Sequence, residues 1–113
     1  MKIDGIVLAV EDMAAMVAFY NEVFDAGLVP INETSSFHRG SFAGLPIVLC
    51  PNEIAEVDAD QSRVQWRLRV DDASAVAAAT QRCGGTVTGE NTDHRGREFS
   101  IADPDGNTYE ITQ

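Results

Sequence analysis

The chain opens with alternating apolar residues and then changes to helical spacing. Ile6, Leu8 and Val10 are two residues apart, which predicts a strand with one buried face. Asp12 is a suitable helix N-cap, and apolar residues recur every three or four positions from Met13 onwards. Gly27 is predicted to end this helix, either as a left-handed C-terminal residue or as a turn. Strands are then predicted at 28–32, 36–42 and 46–50, with a turn at 43–46.

The same order of elements returns sixty residues later. A strand is predicted at 64–70, Asp72 is again a suitable N-cap, and an alanine-rich helix follows and ends at Gly84. Further strands are predicted at 86–89, 97–102 and 108–112. The last two are joined by a turn at 104–107, where the sequence Pro-Asp-Gly-Asn favours a tight reversal. Each half therefore reads β-α-β-β-β.

The repeat predicts the domain organisation. We expect an α+β protein in which residues 1–113 form a single domain built from two modules. Module one covers 1–52, and module two covers 63–113. Residues 53–62 are rich in acidic side chains and poor in large apolar ones, so we interpret them as a solvated acidic connection.

Charge and length exclude several classes of function. The 113 residues carry 18 acidic and eight basic side chains, for a formal net charge of -10. Such a chain repels phosphate backbones, so we expect no nucleic-acid partner and no membrane-surface binding. No apolar run reaches the roughly 20 residues of a membrane span, and the first one is too short for a secretory signal. Two cysteines far apart in sequence fit reduced thiols, so we expect a cytoplasmic location.

Three motifs carry a resemblance to a known superfamily. They are the strand and cap at 6–12, Ala18-Phe19-Tyr20 in the first helix, and the segment 99–107 together with Glu110. In these the chain resembles the vicinal oxygen chelate superfamily, which includes glyoxalase I, bleomycin- and fosfomycin-resistance proteins and extradiol dioxygenases. The resemblance implies curved mixed sheets that form a cup, a small-molecule ligand and a homodimer.

The resemblance also implies four metal-ligand positions, two in each half. In this sequence they fall at Gly5, Val48, Gln65 and Glu110. Only Gln65 and Glu110 carry donor atoms, whereas catalytic zinc sites usually have three protein ligands. We therefore expect no metal ion and no other cofactor. The alternative is that His38, or a residue of a partner chain, completes the site.

Strand alternation predicts which side chains face a ligand. Gln65 shares its face with Arg67 and Arg69, and the inner face of the second module should also carry Glu98, Ser100 and Glu110. Val7 and Val48 are predicted to form an apolar opposite wall. A polar cluster beside an apolar surface is the usual composition of a small-molecule pocket.

Two functions remain open from the sequence. The first is a small-molecule-binding protein of the glyoxalase/bleomycin-resistance type that works without a metal. The alternative is a glyoxalase- or dioxygenase-like metalloenzyme, acting as a lyase or dioxygenase, with a degenerate or rescued metal site. Whether the chain is an enzyme stays open, and no catalytic residue is assigned. We interpret His94 as an exposed turn residue and both cysteines as structural.

Overall fold

The structure of the protein is a computed structural model that describes residues 1–57, 60, 62–94 and 96–113. The chain divides into two compact units, Met1–Asp58 and Ala59–Gln113. The elements are β1 (Ile6–Val10), α1 (Met13–Phe24), β2 (Val29–Pro30), β3 (His38–Phe42), β4 (Leu45–Pro51), α2 (Asn52–Ala55), β5 (Trp66–Arg69), α3 (Ala73–Arg82), β6 (Thr86–Asp93), β7 (Gly96–Ala102) and β8 (Thr108–Thr112). The α+β class and the two repeated modules are confirmed.

Both units have the same sheet topology. The first sheet has the order β1-β4-β3-β2 and the second has the order β5-β8-β7-β6. In each sheet the first strand pairs in parallel with the last, and the remaining pairs are antiparallel. The helix between the first two strands of each unit supplies the crossover that a parallel pair requires.

One face of each sheet is buried against a helix. In the first unit α1 buries Met16, Phe19, Tyr20 and Val23, and the sheet contributes Ile47 and Leu49 among others. In the second unit α3 buries mostly small residues, with Ala73, Ala77, Ala79 and Thr80 inside. The sheet beneath α3 contributes the larger apolar side chains of Phe99, Ile101, Tyr109 and Ile111. No helix among the described residues is long and apolar enough to cross a membrane.

The helix caps repeat as the sequence predicts. The Asp12 carboxylate accepts a hydrogen bond from the Ala15 amide at 3.1 Å, and the Asp72 carboxylate accepts one from the Ala75 amide at 2.9 Å. Each carboxylate satisfies an amide that the first helical turn leaves without a partner. Gly84 ends α3 with a φ of 83°, as expected.

The structure adds detail at two places, the end of α1 and the acidic connection. Asp25 ends α1 in the left-handed conformation, with a φ of 51°, and Gly27 follows in a left-handed turn with a φ of 61°. Aspartate tolerates this conformation better than most residues, so a glycine is not required there. The predicted acidic connection also contains a helical turn, α2, which ends at Glu56 with a φ of 55°. Within that connection, residues 58, 59 and 61 lie outside the described part of the chain.

A buried carboxylate holds the turn between β7 and β8. Asp103 is 3% exposed and accepts hydrogen bonds from the amides of Asp105 and Asn107 and from the Asn107 side chain, at 2.8–3.0 Å. The Asn107 side-chain oxygen in turn accepts a 2.7 Å hydrogen bond from the amide of Ser62. The Gly106 amide donates to the Asp103 carbonyl, so the reversal covers 103–106, one residue earlier than predicted.

We expect Asp103→Ala to lower the free energy of unfolding by about 2–3 kcal/mol, because it leaves three donors without their acceptor. Asp103→Asn retains one acceptor oxygen and should cost less. Urea denaturation followed by circular dichroism measures both. Asp60→Ala, at an exposed position, is the control and should change stability by no more than about 0.5 kcal/mol. Equal losses in Asp103→Ala and Asp60→Ala would contradict the structural role of the turn.

Candidate functional site

Each sheet has a second face that its own helix does not cover, which we call its open face. On the second sheet, strand register arranges the open face in rows across the strands. Arg67 pairs with Glu110, which pairs with Ser100, and in the next row Arg69 pairs with Thr112, which pairs with Glu98. Directly paired residues point to the same face of a sheet. The register therefore brings together four of the predicted site residues, Arg67, Glu98, Ser100 and Glu110.

The closest charged contact on this face joins β5 to β8. The Arg67 Nε atom donates to Glu110 Oε2 at 2.7 Å, and the two side chains are 62% and 27% exposed. An ion pair this accessible to water adds little to stability, about 1 kcal/mol or less. Its main effect is to fix the orientation of the Glu110 carboxylate. The contact uses only Nε, so the two terminal nitrogens of Arg67 extend beyond it.

Gln65 lies just before β5 and contacts the same neighbouring strand. Its side-chain nitrogen donates to the Thr108 hydroxyl at 3.1 Å. Gln65 is exposed. It therefore lies at the edge of the polar row formed by Arg67, Glu110 and Ser100.

A cavity of about 140 Å³ lies beside this cluster within the second unit. Its lining includes Arg67, Arg69, Glu98, Thr112 and Gln113. Ser100 and Glu110 are outside that lining, although Glu110 contacts Arg67 directly. Strand alternation predicts Arg67, Arg69 and Glu98 on this face and places Thr112 on the same face as Glu110. Gln113, which follows the last strand, is not predicted from the sequence.

Arg97 also lines the cavity, but protein contacts occupy its guanidinium group. It donates to the Ser74 hydroxyl at 2.8 Å and to the Glu90 carboxylate at 2.6 and 3.0 Å. Its charged carbon also lies 5.1 Å from the centre of the Phe99 ring. These contacts connect β7 to β6 and to the first turn of α3. We therefore assign Arg97 a structural role.

The open face of the first sheet is mainly apolar. Val7 is 71% exposed and pairs with Val48. Val48 also pairs with Arg39, which places Arg39 on the same face. Sequence reasoning missed Arg39. That Val7 and Val48 form a wall opposite the polar cluster stays a prediction.

The interpretation of His38 as a residue near the site is wrong. His38 pairs with Leu49, which is fully buried beneath α1, so alternation places His38 on the opposite face from Val48. Its ring also contacts the Ser36 carbonyl at 3.2 Å. His38 therefore cannot complete a metal site on the open face. His94 is exposed, as expected, and Cys50 is buried.

The residues at the four implied metal positions do not fit a metal ion. Val48 has no donor atom, and a Cβ atom at Gly5 would lie 2.9 Å from the Pro46 carbonyl oxygen. Any ligating side chain there would need the backbone to shift. Glu110 is already paired with Arg67, which supplies positive charge at the carboxylate. Across the described residues, no group of three His, Cys, Asp or Glu side chains is placed to hold a metal.

Comparison with protein families identifies the family of this chain. Residues 5–112 match the family described as the glyoxalase-like domain. Because that match covers nearly the whole chain, the protein belongs to the glyoxalase-like domain family, within the vicinal oxygen chelate superfamily. Among curated proteins, none matches this chain significantly.

Solved structures share the fold at low sequence identity. A glyoxalase-related enzyme from Fulvimarina pelagi is 21% identical, with a TM-score of 0.74, over 97% of this chain and 86% of the other. A glyoxalase/bleomycin resistance protein/dioxygenase family enzyme from Burkholderia phytofirmans PsJN is 18% identical, with a TM-score of 0.76, over 96% and 94%. The fosfomycin resistance protein FosX from Listeria monocytogenes is 17% identical, with a TM-score of 0.77, over 98% and 89%. At this identity the likeness establishes the fold and not the activity.

The donor set at the four positions generates a prediction about metal content. Protein purified without a metal-affinity tag should contain nickel, zinc, iron and manganese far below one ion per chain, because two carboxylate or amide side chains are too few ligands. Elemental analysis by mass spectrometry measures this directly. A stoichiometric ion that is lost in Glu110→Gln would contradict it.

Proposed function

We propose that this protein binds a small molecule on the open face of its second sheet and does so without a metal ion. The arrangement of Arg67 and Glu110 carries the proposal. Glu110, one of the positions where the superfamily resemblance implies a metal ligand, is instead paired with Arg67 of the neighbouring strand. The cavity beside that pair supports the same interpretation.

The side chains of this face favour a ligand that has a polar or charged end. The terminal nitrogens of Arg67 are suited to a carboxylate or phosphate group, which a guanidinium can bind with two parallel hydrogen bonds. The net charge of -10 slows the approach of anions, but it does not prevent binding at a local positive site. A cationic ligand that contacts Glu98 and Glu110 is the competing proposal.

Replacing Arg67 and Glu110 separately distinguishes an anionic ligand from a cationic one. A thermal-shift screen with metabolites and drug-like compounds first identifies a compound that the unmodified protein binds. If the ligand is anionic, Arg67→Met should weaken binding about tenfold or more, because it removes a charged hydrogen-bond donor. If the ligand is cationic, Glu110→Gln should produce the larger loss. Isothermal titration calorimetry measures both affinities.

Arg82→Met is the matched control for this experiment. Arg82 is exposed in the last turn of α3, on the helix rather than on the open face. It should leave the affinity unchanged. If neither Arg67→Met nor Glu110→Gln affects a compound that the unmodified protein binds, both residues are structural and the proposed site is wrong.

We also propose that the protein is a homodimer. Each sheet ends in strands with one unpaired edge within its own sheet, and the exposed strand β6 is the longest of them. Unpaired edges are commonly covered by another strand or another chain. Sedimentation at micromolar concentration should therefore show a species of twice the 12.2 kDa chain mass. A single 12.2 kDa species would exclude the dimer.

A further inference from the structure

Among the described residues, five charged side chains line this cavity, and all but two of them have a partner within the protein: Arg67, Asp93 and Arg97 are engaged, whereas Arg69 and Glu98 carry opposite charges and do not contact each other. Arg69 and Glu98 both contribute to the lining, and both lie in the row centred on Thr112. Across the part of the chain that the structure describes, neither side chain has a hydrogen-bond or ion-pair partner. Strand β8 separates their strands, so their backbones are about 9–10 Å apart.

This separation explains why the two side chains do not form an ion pair. It also limits which ligand charges the cavity can bind well. A purely anionic ligand would satisfy Arg69 and be repelled by Glu98. A purely cationic ligand would have the reverse problem. A ligand with a negative group at one end and a positive group at the other satisfies both charges.

We infer that the cavity of the second unit recognises a zwitterionic small molecule, whose anionic group binds Arg69 and whose cationic group binds Glu98. The inference rests on the proposed function, since it specifies the ligand class of the same open face. Arg67 adds to the anionic end, because it lies two residues from Arg69 on the same face and uses only Nε in its contact with Glu110. Thr112 forms the floor between the two ends.

The cavity volume limits the size of the recognised group. At about 140 Å³ it is equivalent to roughly five water molecules in the liquid. That space accommodates a short amino acid or the charged end of a larger molecule. The remainder of a larger ligand would extend over the rest of the open face.

A matched series of probes tests the inference. The zwitterionic probes are 3-aminopropanoate, 4-aminobutanoate and 6-aminohexanoate, and the singly charged probes are butanoate and butylammonium. Binding is followed by nuclear magnetic resonance titration of the arginine Nε–H signals. At least one amino acid should bind the unmodified protein about tenfold more tightly than either singly charged probe, since it gains a second charged contact.

Two variants test which residue binds each end of the ligand. Arg69→Gln should weaken amino-acid binding about tenfold and leave butylammonium binding unchanged or tighter. Glu98→Gln should also weaken amino-acid binding about tenfold, but it should leave butanoate binding unchanged or tighter. Arg82→Gln and Glu53→Gln, at exposed positions on α3 and α2, are the controls and should change nothing. An unchanged backbone spectrum shows that each variant is folded.

Several outcomes would overturn the inference that the ligand is zwitterionic. Butanoate binding as tightly as the amino acids, with no loss in Glu98→Gln, would assign a simple anion site. Butylammonium binding as tightly as the amino acids, with no loss in Arg69→Gln, would show that the cavity is a simple cation site. Failure of every amino acid to bind at millimolar concentration would also overturn it. The proposed function would survive each result as long as the Arg67 or Glu110 variant weakens binding of a compound from the thermal-shift screen.

Discussion

The second unit depends on the buried carboxylate of Asp103. Its hydrogen bonds fix the reversal after β7, and through Asn107 the same network reaches the amide of Ser62, just before β5. The turn therefore sets the starting point of β8 and its position relative to β5. A buried carboxylate is stable only when its oxygens are hydrogen-bonded, and here backbone and side-chain donors supply these bonds.

The parallel register of β5 and β8 determines the chemistry of the open face. Arg67 lies opposite Glu110, and Arg69 lies opposite Thr112. A shift of one residue would turn these side chains towards α3 and bring Trp66 and Leu68 into water. The apolar alternation that builds the core thus also fixes which polar residues meet on the other face.

The two units show how one topology carries two different surfaces. In the first unit, the pair equivalent to Arg67 and Glu110 is Val7 and Val48, joined by the same parallel register. On the paired strands β1, β4, β5 and β8 the helix-facing positions are apolar in both units, since burial constrains them. The open-face positions of these strands are under no such constraint. A repeated fold can therefore keep its core while one half becomes apolar and the other charged.

The sequence by itself determined the elements, their repeat and the faces of the strands, because hydrophobic periodicity and capping residues are local signals. It indicated Arg67, Glu98, Ser100 and Glu110 as neighbours through alternation and superfamily resemblance. Only the tertiary structure decided that His38 faces α1, that Asp103 is buried, and that Arg69 and Glu98 share a cavity. These facts depend on pairing between strands that are distant in sequence, and local patterns do not encode that register.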